Sequence, residues 1–289
     1  MLVGISLVRN EEDLVEINLR HHFRQGIARV LIADNGSTDG TARELEKLAR
    51  WDRRIHWRRT GDIGFQQAQL VTELAQEAMR MGASWLLPFD ADEFWWAPGG
   101  LATKIAASRA DLISVPVVNF IQHRGQLRRD PRAVLAAVYR NSAKLGDFRK
   151  ARFSVEAGEY AYVEAPYQRK NILRALPGLQ IGPGNHTAKG VGPRRSRRDS
   201  FACFHLPLRA KEIFREKAEQ SVRLQAAGLP SWHGWQSHRF ARIVREELID
   251  EEWAANSELQ GCLDAVRGKV PLTRDLRLRE LLSDCVNCE

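Results

Sequence analysis

Four strand-like segments alternate with three helix-like segments over the first 90 residues, and this alternation restricts the fold more than any other feature of the chain. The first strand-like segment, residues 2–8, is a continuous apolar run, as strands buried on both faces are, and the segments between the strands carry apolar residues at helical spacing. Strands are expected at residues 2–8, 29–34, 55–59 and 84–89, and helices at residues 11–25, 41–50 and 66–81. This alternation predicts an α/β fold with a mostly parallel central sheet and helices on both faces.

Beyond residue 100 short strand-like runs are mixed with Arg, Gly and Pro, which is typical of irregular or antiparallel structure. Helical spacing returns after Leu208, in three segments. These expected helices are residues 211–227, 238–255 and 274–282. We therefore predict a first domain over residues 1–206, with halves at residues 1–100 and 101–206, followed by a helical C-terminal region over residues 207–289.

The chain has a net charge of +8, and an arginine cluster at residues 194–198 lies in a segment rich in Gly and Pro. A positive surplus is compatible with anionic substrates, nucleic acid or an acidic membrane surface. No apolar run reaches the roughly 20 residues that span a bilayer. The first residues also lack the basic start of a secretory signal, so we expect a cytoplasmic location.

An apolar strand is followed at once by three carboxylates, those of Asp90, Asp92 and Glu93. Carboxylates packed beside apolar residues repel one another and lose solvation unless a positive charge neutralises them. Asp90 and Asp92 are two residues apart, so in extended backbone their side chains point the same way. That arrangement suits one hard divalent cation, which one or two carboxylates hold together with phosphate oxygens and water. A solvated acidic turn is the alternative interpretation.

Polar residues follow three of the predicted strands. Asn10 and Glu11 follow the first strand, residues 34–39 follow the second, and residues 90–93 follow the fourth. Ligands of parallel α/β sheets bind outside the carboxyl ends of the strands. Because those ends meet at one edge of the sheet, the three polar sets are expected to converge, which favours the metal interpretation over the acidic turn.

With these polar sets, the chain resembles the glycosyltransferase family 2 group of GT-A fold enzymes, in the branch with R-N-E and D-A-D-E-F motifs. The matching motifs are Val8-Arg9-Asn10-Glu11-Glu12, Asp34-Asn35-Gly36-Ser37-Thr38-Asp39-Gly40-Thr41 and Phe89-Asp90-Ala91-Asp92-Glu93-Phe94. Two later segments also resemble that branch, Gly184-Asn185-His186 and Phe204-His205-Leu206-Pro207. The resemblance implies a Rossmann-like GT-A fold, with a donor half before residue 100 and an acceptor half after it.

The resemblance further implies a metal-dependent transfer of a sugar from a nucleotide-diphosphate sugar to an acceptor hydroxyl. Donor contacts would come from Val8, Asn10, Glu11, Asp34, Asp39, Asp62, Gln67, Asp90, Ala91 and Asp92. Mn²⁺ or Mg²⁺ would bridge the donor diphosphate, held by Asp90, Asp92 and His205. Two alternatives stay open, because Asp39 could instead cap the following helix and His205 could be a packed core histidine.

Most members of this family invert the anomeric centre, and inversion requires a general base that deprotonates the acceptor hydroxyl. The usual acidic acceptor motif of the family is not recognisable in this chain. His186 and Glu164 are the candidates for the base, His186 because a histidine titrates near neutral pH. Glu93 is expected either to hydrogen-bond the donor sugar or to brace its loop.

Other classes of function compete with this interpretation. A sugar nucleotidyltransferase, or another metal-dependent nucleotide enzyme, shares the sheet and the nucleotide pocket but releases pyrophosphate instead of a nucleoside diphosphate. Haloacid dehalogenase-like phosphatases also carry a D-x-D after a strand, but there it follows the strand that opens the core. A basic nucleic-acid-binding protein is the non-enzymatic alternative, which the scattered basic residues and the lack of a recognised module disfavour.

The expected donor is a UDP-, GDP- or dTDP-sugar, and no nucleic-acid partner is expected. The acceptor stays open between a glycan, a lipid-linked molecule and a small molecule. Peripheral contact with a membrane is compatible with the positive charge. An oligomer formed through the helical C-terminal region is equally compatible with the sequence.

Overall fold

The computed structural model describes residues 1–61, 67–123, 130–141, 148–228, 235–258 and 272–286. The chain divides into two compact units and crosses between them three times. Unit 1 comprises Met1–Val118 and Gln168–His205, and unit 2 comprises Asn119–Tyr167 and Leu206–Glu289. The last crossing falls at the predicted end of the first domain. Residues 119–167, which were expected in the acceptor half of that domain, instead group with the C-terminal segment.

Strands and helices alternate through the first part of unit 1, as the sequence predicts. The strands are β1 (Leu2–Val8), β2 (Arg29–Asn35), β3 (Ile55–Thr60), β4 (Trp85–Pro88), β5 (Glu93–Trp96), β6 (Leu112–Val115), β7 (Val117–His123), β8 (Tyr139–Asn141), β9 (Lys170–Arg174), β10 (Gln180–Ile181), β11 (Ala188–Lys189), β12 (Arg195–Arg197), β13 (Ala202–His205), β14 (Ser257–Glu258) and β15 (Leu272–Arg274). The α-helices are α1 (Val15–Arg24), α2 (Thr41–Trp51), α3 (Gln67–Arg80), α4 (Leu101–Ala106), α5 (Phe148–Glu156), α6 (Lys211–Ala226), α7 (Trp235–Arg245), α8 (Ile249–Asn256) and α9 (Arg277–Val286). Short 3₁₀ helices span Pro131–Ala136, Tyr162–Glu164 and Pro183–Asn185.

A seven-stranded sheet forms the centre of unit 1, in the strand order β12-β6-β9-β4-β1-β2-β3. β1 pairs in parallel with both β2 and β4, and β2 pairs in parallel with β3. β9 is the exception, because it runs antiparallel to its neighbours β4 and β6. The prediction of a mostly parallel central sheet is confirmed, and the first four strands of the chain end at one edge of that sheet.

Helices cover both faces of this sheet. Neighbouring residues along a strand point to opposite sides, so each strand contributes side chains to the apolar clusters on both faces. On one face Leu2 and Val30 pack in a cluster that includes Leu19 of α1 and residues of α2 and α4. On the other face Val3 packs in a cluster with Val71 and other residues of α3. The prediction of an α/β fold with helices on both faces is therefore confirmed.

Two antiparallel pairings bring residues from late in the chain to the edge where β4 ends. β4 pairs with β9 so that Leu86 is opposite Leu173, and Lys170, the first residue of β9, therefore comes beside the segment that follows β4. β5 pairs with β13 so that Glu93 is opposite His205. Both pairings join segments far apart in sequence.

Unit 2 is mainly helical. Its apolar core contains Ile121 of β7 and Tyr162, together with Phe214 of α6, Phe240 of α7 and Trp253 of α8. Within the described part of residues 119–167, apolar side chains such as Ile121, Val155 and Tyr162 share this core with the C-terminal helices.

The predicted helix over residues 211–227 is confirmed as α6. The single helix expected over residues 238–255 is wrong, because Glu247 has a φ of 57°, a left-handed conformation that separates α7 from α8. The last helix begins at Arg277 and not at Arg274, since residues 272–274 form β15 and pair with β8. None of the described helices combines the length and the apolar character that crossing a membrane requires.

Candidate functional site

The loops that follow β1 and β2 are joined by hydrogen bonds. Asn10 N donates to Ser37 Oγ at 2.9 Å, and Asn10 Oδ1 accepts from Thr38 N at 2.8 Å. Asn10 has a φ of 55°, a left-handed conformation that is uncommon outside glycine and that clusters at functional sites. The first two of the three polar sets therefore lie in contact at the edge of the sheet.

Asp34 lies near the end of β2 and is 0% exposed. Its Oδ1 accepts a hydrogen bond from Ser37 N at 3.0 Å. Its Oδ2 has no hydrogen-bond donor among the described residues, although Arg59 Nε lies 3.7 Å away. A buried carboxylate oxygen without a donor is unfavourable unless a ligand supplies one. Asp34 can therefore accept an N–H or O–H group from a bound molecule.

The carboxylate of Asp39 contacts the start of α2. Its Oδ1 accepts from Thr41 N at 3.0 Å and from Thr41 Oγ1 at 2.6 Å, and its Oδ2 accepts from Glu12 N at 3.3 Å. Glu11 N donates to Thr41 Oγ1 at 2.8 Å. The structure thus gives Asp39 the capping contact that was the alternative interpretation, and a nucleotide contact for Asp39 or Glu11 stays a prediction.

The acidic loop, residues 90–93, is closed by its last residue. Glu93 Oε2 accepts from Asp90 N at 3.3 Å and from Trp95 Nε1 at 3.4 Å. Burial raises the pKa of Glu93 to about 8, against the lowering effect of Lys170 and with a smaller raising effect of Asp90. Glu93 therefore braces the loop, and its contact with a donor sugar stays a prediction.

Lys170 supplies a buried cation to the acidic loop. Its Nζ lies 2.7 Å from Asp90 Oδ2 and also contacts Glu93 Oε1, and its side chain is only 4% exposed. Burial alone would lower the pKa of Lys170, but Asp90 and Glu93 outweigh burial and raise this pKa above its ordinary value. The lysine therefore stays charged and provides part of the neutralisation that three packed carboxylates require.

Asp92 and His205 face each other beside this cluster. His205 Nε2 lies 3.7 Å from Asp92 Oδ1, and about a tenth of each side chain is exposed. Asp90, the third predicted metal ligand, has its oxygens in other contacts. Its Oδ2 meets Lys170, and its Oδ1 accepts from Asn185 Nδ2 at 3.1 Å.

The residues present fit a divalent cation held by two protein groups. Among the described residues no three His, Cys, Asp or Glu side chains form a group that could hold a metal ion. A carboxylate and an imidazole 3.7 Å apart can nevertheless share one cation whose other positions are filled by phosphate oxygens and water. Asp92 and His205 have this donor set, and a metal role for Asp90 stays a prediction.

The segment around the 3₁₀ helix Pro183–Asn185 is anchored to the acidic loop and to α3. Asn185 Nδ2 donates to Asp90 Oδ1, and Gly184 N donates to Gln67 Oε1 at 3.3 Å. Gly184 and Asn185 have φ values of 65° and 60°, so two consecutive residues are left-handed. Gln67, a predicted donor contact, thus positions this segment, and its contact with a donor stays a prediction.

His186 follows this turn and is largely buried. Burial, with a smaller contribution from the nearby Lys170 ammonium, lowers the pKa of His186 to about 4. The carbonyl oxygen of His186 accepts from Asn171 Nδ2 at 2.8 Å, and the ring Nδ1 has no hydrogen-bond partner among the described residues. The imidazole is therefore neutral near pH 7, and its role as a general base stays a prediction.

The remaining predicted residues lie in varied surroundings. Glu164 belongs to unit 2, is buried, and accepts from Ala161 N at 2.7 Å across the 3₁₀ helix that it ends. Val8 ends β1 and Ala91 lies within the acidic loop, and both are buried. Asp62 lies outside the described residues.

Two residues that shape the acidic loop were missed from the sequence, Lys170 and Asn18. Asn18 on α1 is buried, and its Nδ2 donates to Ala91 O at 2.9 Å and to Glu93 O at 2.7 Å. An amide between the apolar Ile17 and Leu19 is a signal that could have found Asn18. Lys170 has no such local signal, since its place follows from the register of β9 on β4.

A family model described as Glycosyl transferase family 2 matches residues 5–172. No curated protein matches the chain. Among solved structures the chain is similar to Staphylococcus aureus TarS 1–349, with 13% identity over 88% of this chain and 71% of that chain, at a TM-score of 0.42. The mannosyltransferase PcManGT from Pyrobaculum calidifontis, in complex with GDP-Man and Mn²⁺, has 15% identity over 88% and 73% of the two chains, at a TM-score of 0.42.

GalNAc-T7 with UDP, GalNAc and Mn²⁺ has 14% identity over 89% of this chain and 55% of that chain, at a TM-score of 0.44. Likeness at these levels supports no conclusion about donor, metal or acceptor. The family model is different, because it covers more than half of the 289 residues and includes the ends of β1, β2 and β4. The chain therefore belongs to glycosyl transferase family 2.

Proposed function

We propose that this chain transfers a sugar from a nucleotide-diphosphate sugar to an acceptor hydroxyl, with a divalent cation and with inversion at the anomeric carbon. The proposal rests mainly on the buried carboxylate of Asp34. Its buried Oδ2 lacks a hydrogen-bond donor among the described residues, at the edge where the parallel strands end. N–H or O–H groups of a nucleobase or ribose would supply that donor.

The nucleoside would lie against the joined loops that follow β1 and β2, near Asn10 and Asp34. Left-handed Asn10 holds the first loop on the second through Ser37 and Thr38, so the binding surface is in place before a ligand arrives. A UDP-, GDP- or dTDP-sugar meets this requirement, because each base carries an N–H that a carboxylate can accept.

Asp92 and His205 would hold the divalent cation at the donor diphosphate. When bound, Mn²⁺ or Mg²⁺ supplies positive charge that stabilises the leaving nucleoside diphosphate. The protein's part is orientation. Lys170 and Asn185 fix the two oxygens of Asp90, and Glu93 closes the loop by accepting from Asp90 N.

Inverting transfer needs a base beside the acceptor hydroxyl. Of the two candidates, His186 has the better support, because its ring Nδ1 is without a partner among the described residues. Glu93 and Glu164 each use a carboxylate oxygen to accept from a backbone N–H of their own loop. His186 would accept the hydroxyl proton as the acceptor attacks.

The test is a thermal-shift panel of UDP-, GDP- and dTDP-sugars with and without Mn²⁺, followed by product analysis with the donor that binds. We expect one nucleotide class to stabilise the protein only with Mn²⁺, and Asp92→Asn to abolish that effect. Asp250→Asn is the matched control, because Asp250 is exposed in unit 2 and pairs with Lys211. Release of pyrophosphate in place of a nucleoside diphosphate would overturn the proposal in favour of a nucleotidyltransferase.

A further inference from the structure

We propose that Lys170 is a built-in cation of the acidic loop, a positioning residue that holds Asp90 and Glu93 in place before any divalent cation binds. This inference rests on the proposed function, because it concerns the site at which that function places the donor diphosphate. It divides the positive charge at the site into two parts. Lys170 supplies the permanent part, and the cation held by Asp92 and His205 supplies the exchangeable part.

The contacts of Lys170 support its role as the permanent positive charge of the site. Its ammonium lies 2.7 Å from Asp90 Oδ2 and also contacts Glu93, and almost no part of the side chain reaches solvent. A buried ammonium is strongly unfavourable unless it is paired, and so is a buried carboxylate. Each partner therefore requires the other.

The strand register supports a fixed position for this cation. Lys170 is the first residue of β9, which lies between β4 and β6 in the sheet. Leu173 of this strand pairs with Leu86 of β4 and with Leu112 of β6. The backbone that carries the ammonium is therefore part of the central sheet. The strand therefore holds the backbone of Lys170 in a fixed position beside the acidic loop.

The charge balance explains why an exchangeable cation is still needed. Lys170 carries one positive charge, which does not balance both Asp90 and Asp92 even where Glu93 is protonated. Lys170 meets Asp90 and Glu93, whereas Asp92 lies 3.7 Å from His205. The ammonium between Asp90 and Glu93 occupies the place at which a metal would otherwise bridge them. The exchangeable cation is therefore directed to Asp92 and His205.

The test uses the full chain and Mn²⁺ alone, with no nucleotide sugar. Lys170→Met removes the charge and keeps the length of the side chain, and Lys170→Arg keeps the charge. Lys47→Met is the control, because Lys47 pairs with Glu44 on the exposed side of α2. Binding is measured from the loss of the free Mn²⁺ signal in electron paramagnetic resonance, and stability from the thermal shift that Mn²⁺ produces.

We expect Lys170→Met to bind Mn²⁺ about tenfold more tightly than the wild type, since removing a positive charge a few ångströms away strengthens cation binding. Mn²⁺ alone should then raise its melting temperature more than that of the wild type. Lys170→Arg and Lys47→Met should both behave as the wild type. Unchanged Mn²⁺ binding in Lys170→Met, even with lowered stability, would overturn the proposal, because a merely structural lysine predicts that result.

A failure of Lys170→Met to fold without metal is also informative. Mn²⁺ in the purification buffer should then recover the folded variant, because a divalent cation takes over the lost charge, and no recovery would overturn the proposal. The result of this test can be distinguished from the result of the test of the proposed function. Mn²⁺ binding without a donor tests Lys170, whereas donor binding and product analysis test sugar transfer.

Discussion

His205 Nε2 lies 3.7 Å from Asp92 Oδ1, although 113 positions separate the two residues in sequence. The antiparallel pairing of β13 with β5 creates this proximity, because it sets His205 directly opposite Glu93, the neighbour of Asp92. His205 is the last residue of β13, and Asp92 is the turn residue directly before β5, so the pairing of the two strands sets the distance between the imidazole and the carboxylate.

A His205→Phe variant tests this pair as the cation site. Phenylalanine fills a similar volume but cannot ligate, so we expect the Mn²⁺ concentration needed for donor binding to rise by a factor on the order of ten or more. Calorimetric titration of the donor at a series of Mn²⁺ concentrations measures that change. His238→Phe on α7 is the control, and an unchanged Mn²⁺ requirement in His205→Phe would exclude His205 as a ligand.

Asp34→Asn tests the buried acceptor at the end of β2. The amide keeps the shape of the carboxylate but presents two N–H donors on the nitrogen, so a ligand N–H loses a charged acceptor. We expect nucleotide binding to weaken by about 10- to 100-fold, since such hydrogen bonds contribute roughly 1.5–3 kcal/mol. Asp52→Asn is the matched control, because Asp52 is a partly exposed partner of Arg54. Equal nucleotide affinity of the Asp34→Asn variant and the wild type would contradict the assignment.

Asn18→Leu tests the support of the acidic loop from α1. The substitution leaves the buried carbonyl oxygens of Ala91 and Glu93 without their amide donor, and we expect a loss of about 2–3 kcal/mol in the free energy of unfolding. Urea unfolding measures this loss. Gln69→Leu removes an exposed amide that bonds to Glu73 and should change stability little. Similar stabilities of the two variants would show that Asn18 does not support the loop.

His21 and His22 on α1 make the stability of unit 1 depend on pH. Burial lowers the pKa of His21 from its ordinary value of 6.5 to about 4, and burial lowers that of His22 well below 6.5. The unfolded chain therefore takes up these protons at higher pH than the folded chain does. The contribution of the two neutral histidines to the stability of unit 1 is fully present above pH 6.5, and it is lost as the pH decreases from 6.5 towards 4.

Between about pH 6.5 and pH 5 each of these histidines should remove on the order of 2 kcal/mol, at about 1.4 kcal/mol per pH unit. Urea unfolding at both pH values measures the slope. His22→Phe keeps a ring against Phe89, with which His22 stacks at 4.3 Å, and should reduce the slope. His238→Phe should leave it unchanged. A wild-type slope in His22→Phe would refute the assignment.

Arg239 and Glu252 form a buried ion pair in the core of unit 2, with 2.6 Å between Arg239 Nη2 and Glu252 Oε2. Glu252→Gln leaves the guanidinium charge without its counter-charge, so we expect a loss of about 3–5 kcal/mol in the free energy of unfolding. The double variant Arg239→Met/Glu252→Leu should recover most of that loss, because apolar side chains of similar volume can replace a buried pair. A double variant no more stable than Glu252→Gln would contradict this account.

The first half of unit 1 could be predicted because β1, β2 and β4 are buried and consist largely of apolar residues. β1, β2 and β3 begin at the predicted residues and extend at most one residue beyond the predicted ends. Residues after 100 form short strands whose positions depend on distant partners. β9 gives no clear local pattern, and its place between β4 and β6 arises only from pairing in the folded sheet.

Residues of the candidate site could likewise be predicted where the local sequence marks them, but not where distant strand pairing brings them together. The sequence identified Asp34, Asp90 and Asp92 because carboxylates at the ends of apolar strands are locally conspicuous. His205 was proposed as a metal ligand; its Nε2 lies 3.7 Å from Asp92 Oδ1, and the ligand role stays a prediction. The neutralising charge of Lys170 could not be predicted, because a lysine among other basic residues carries no sign of burial.

The place of Lys170 in β9 has a consequence for how the chain is made. The carboxylate of Asp90 is synthesised 80 residues before the ammonium that neutralises it. A nascent chain that stops at Val118 has β4 without its neighbour β9 and Glu93 without a cation. The acidic loop can therefore take its final form only after β9 has left the ribosome.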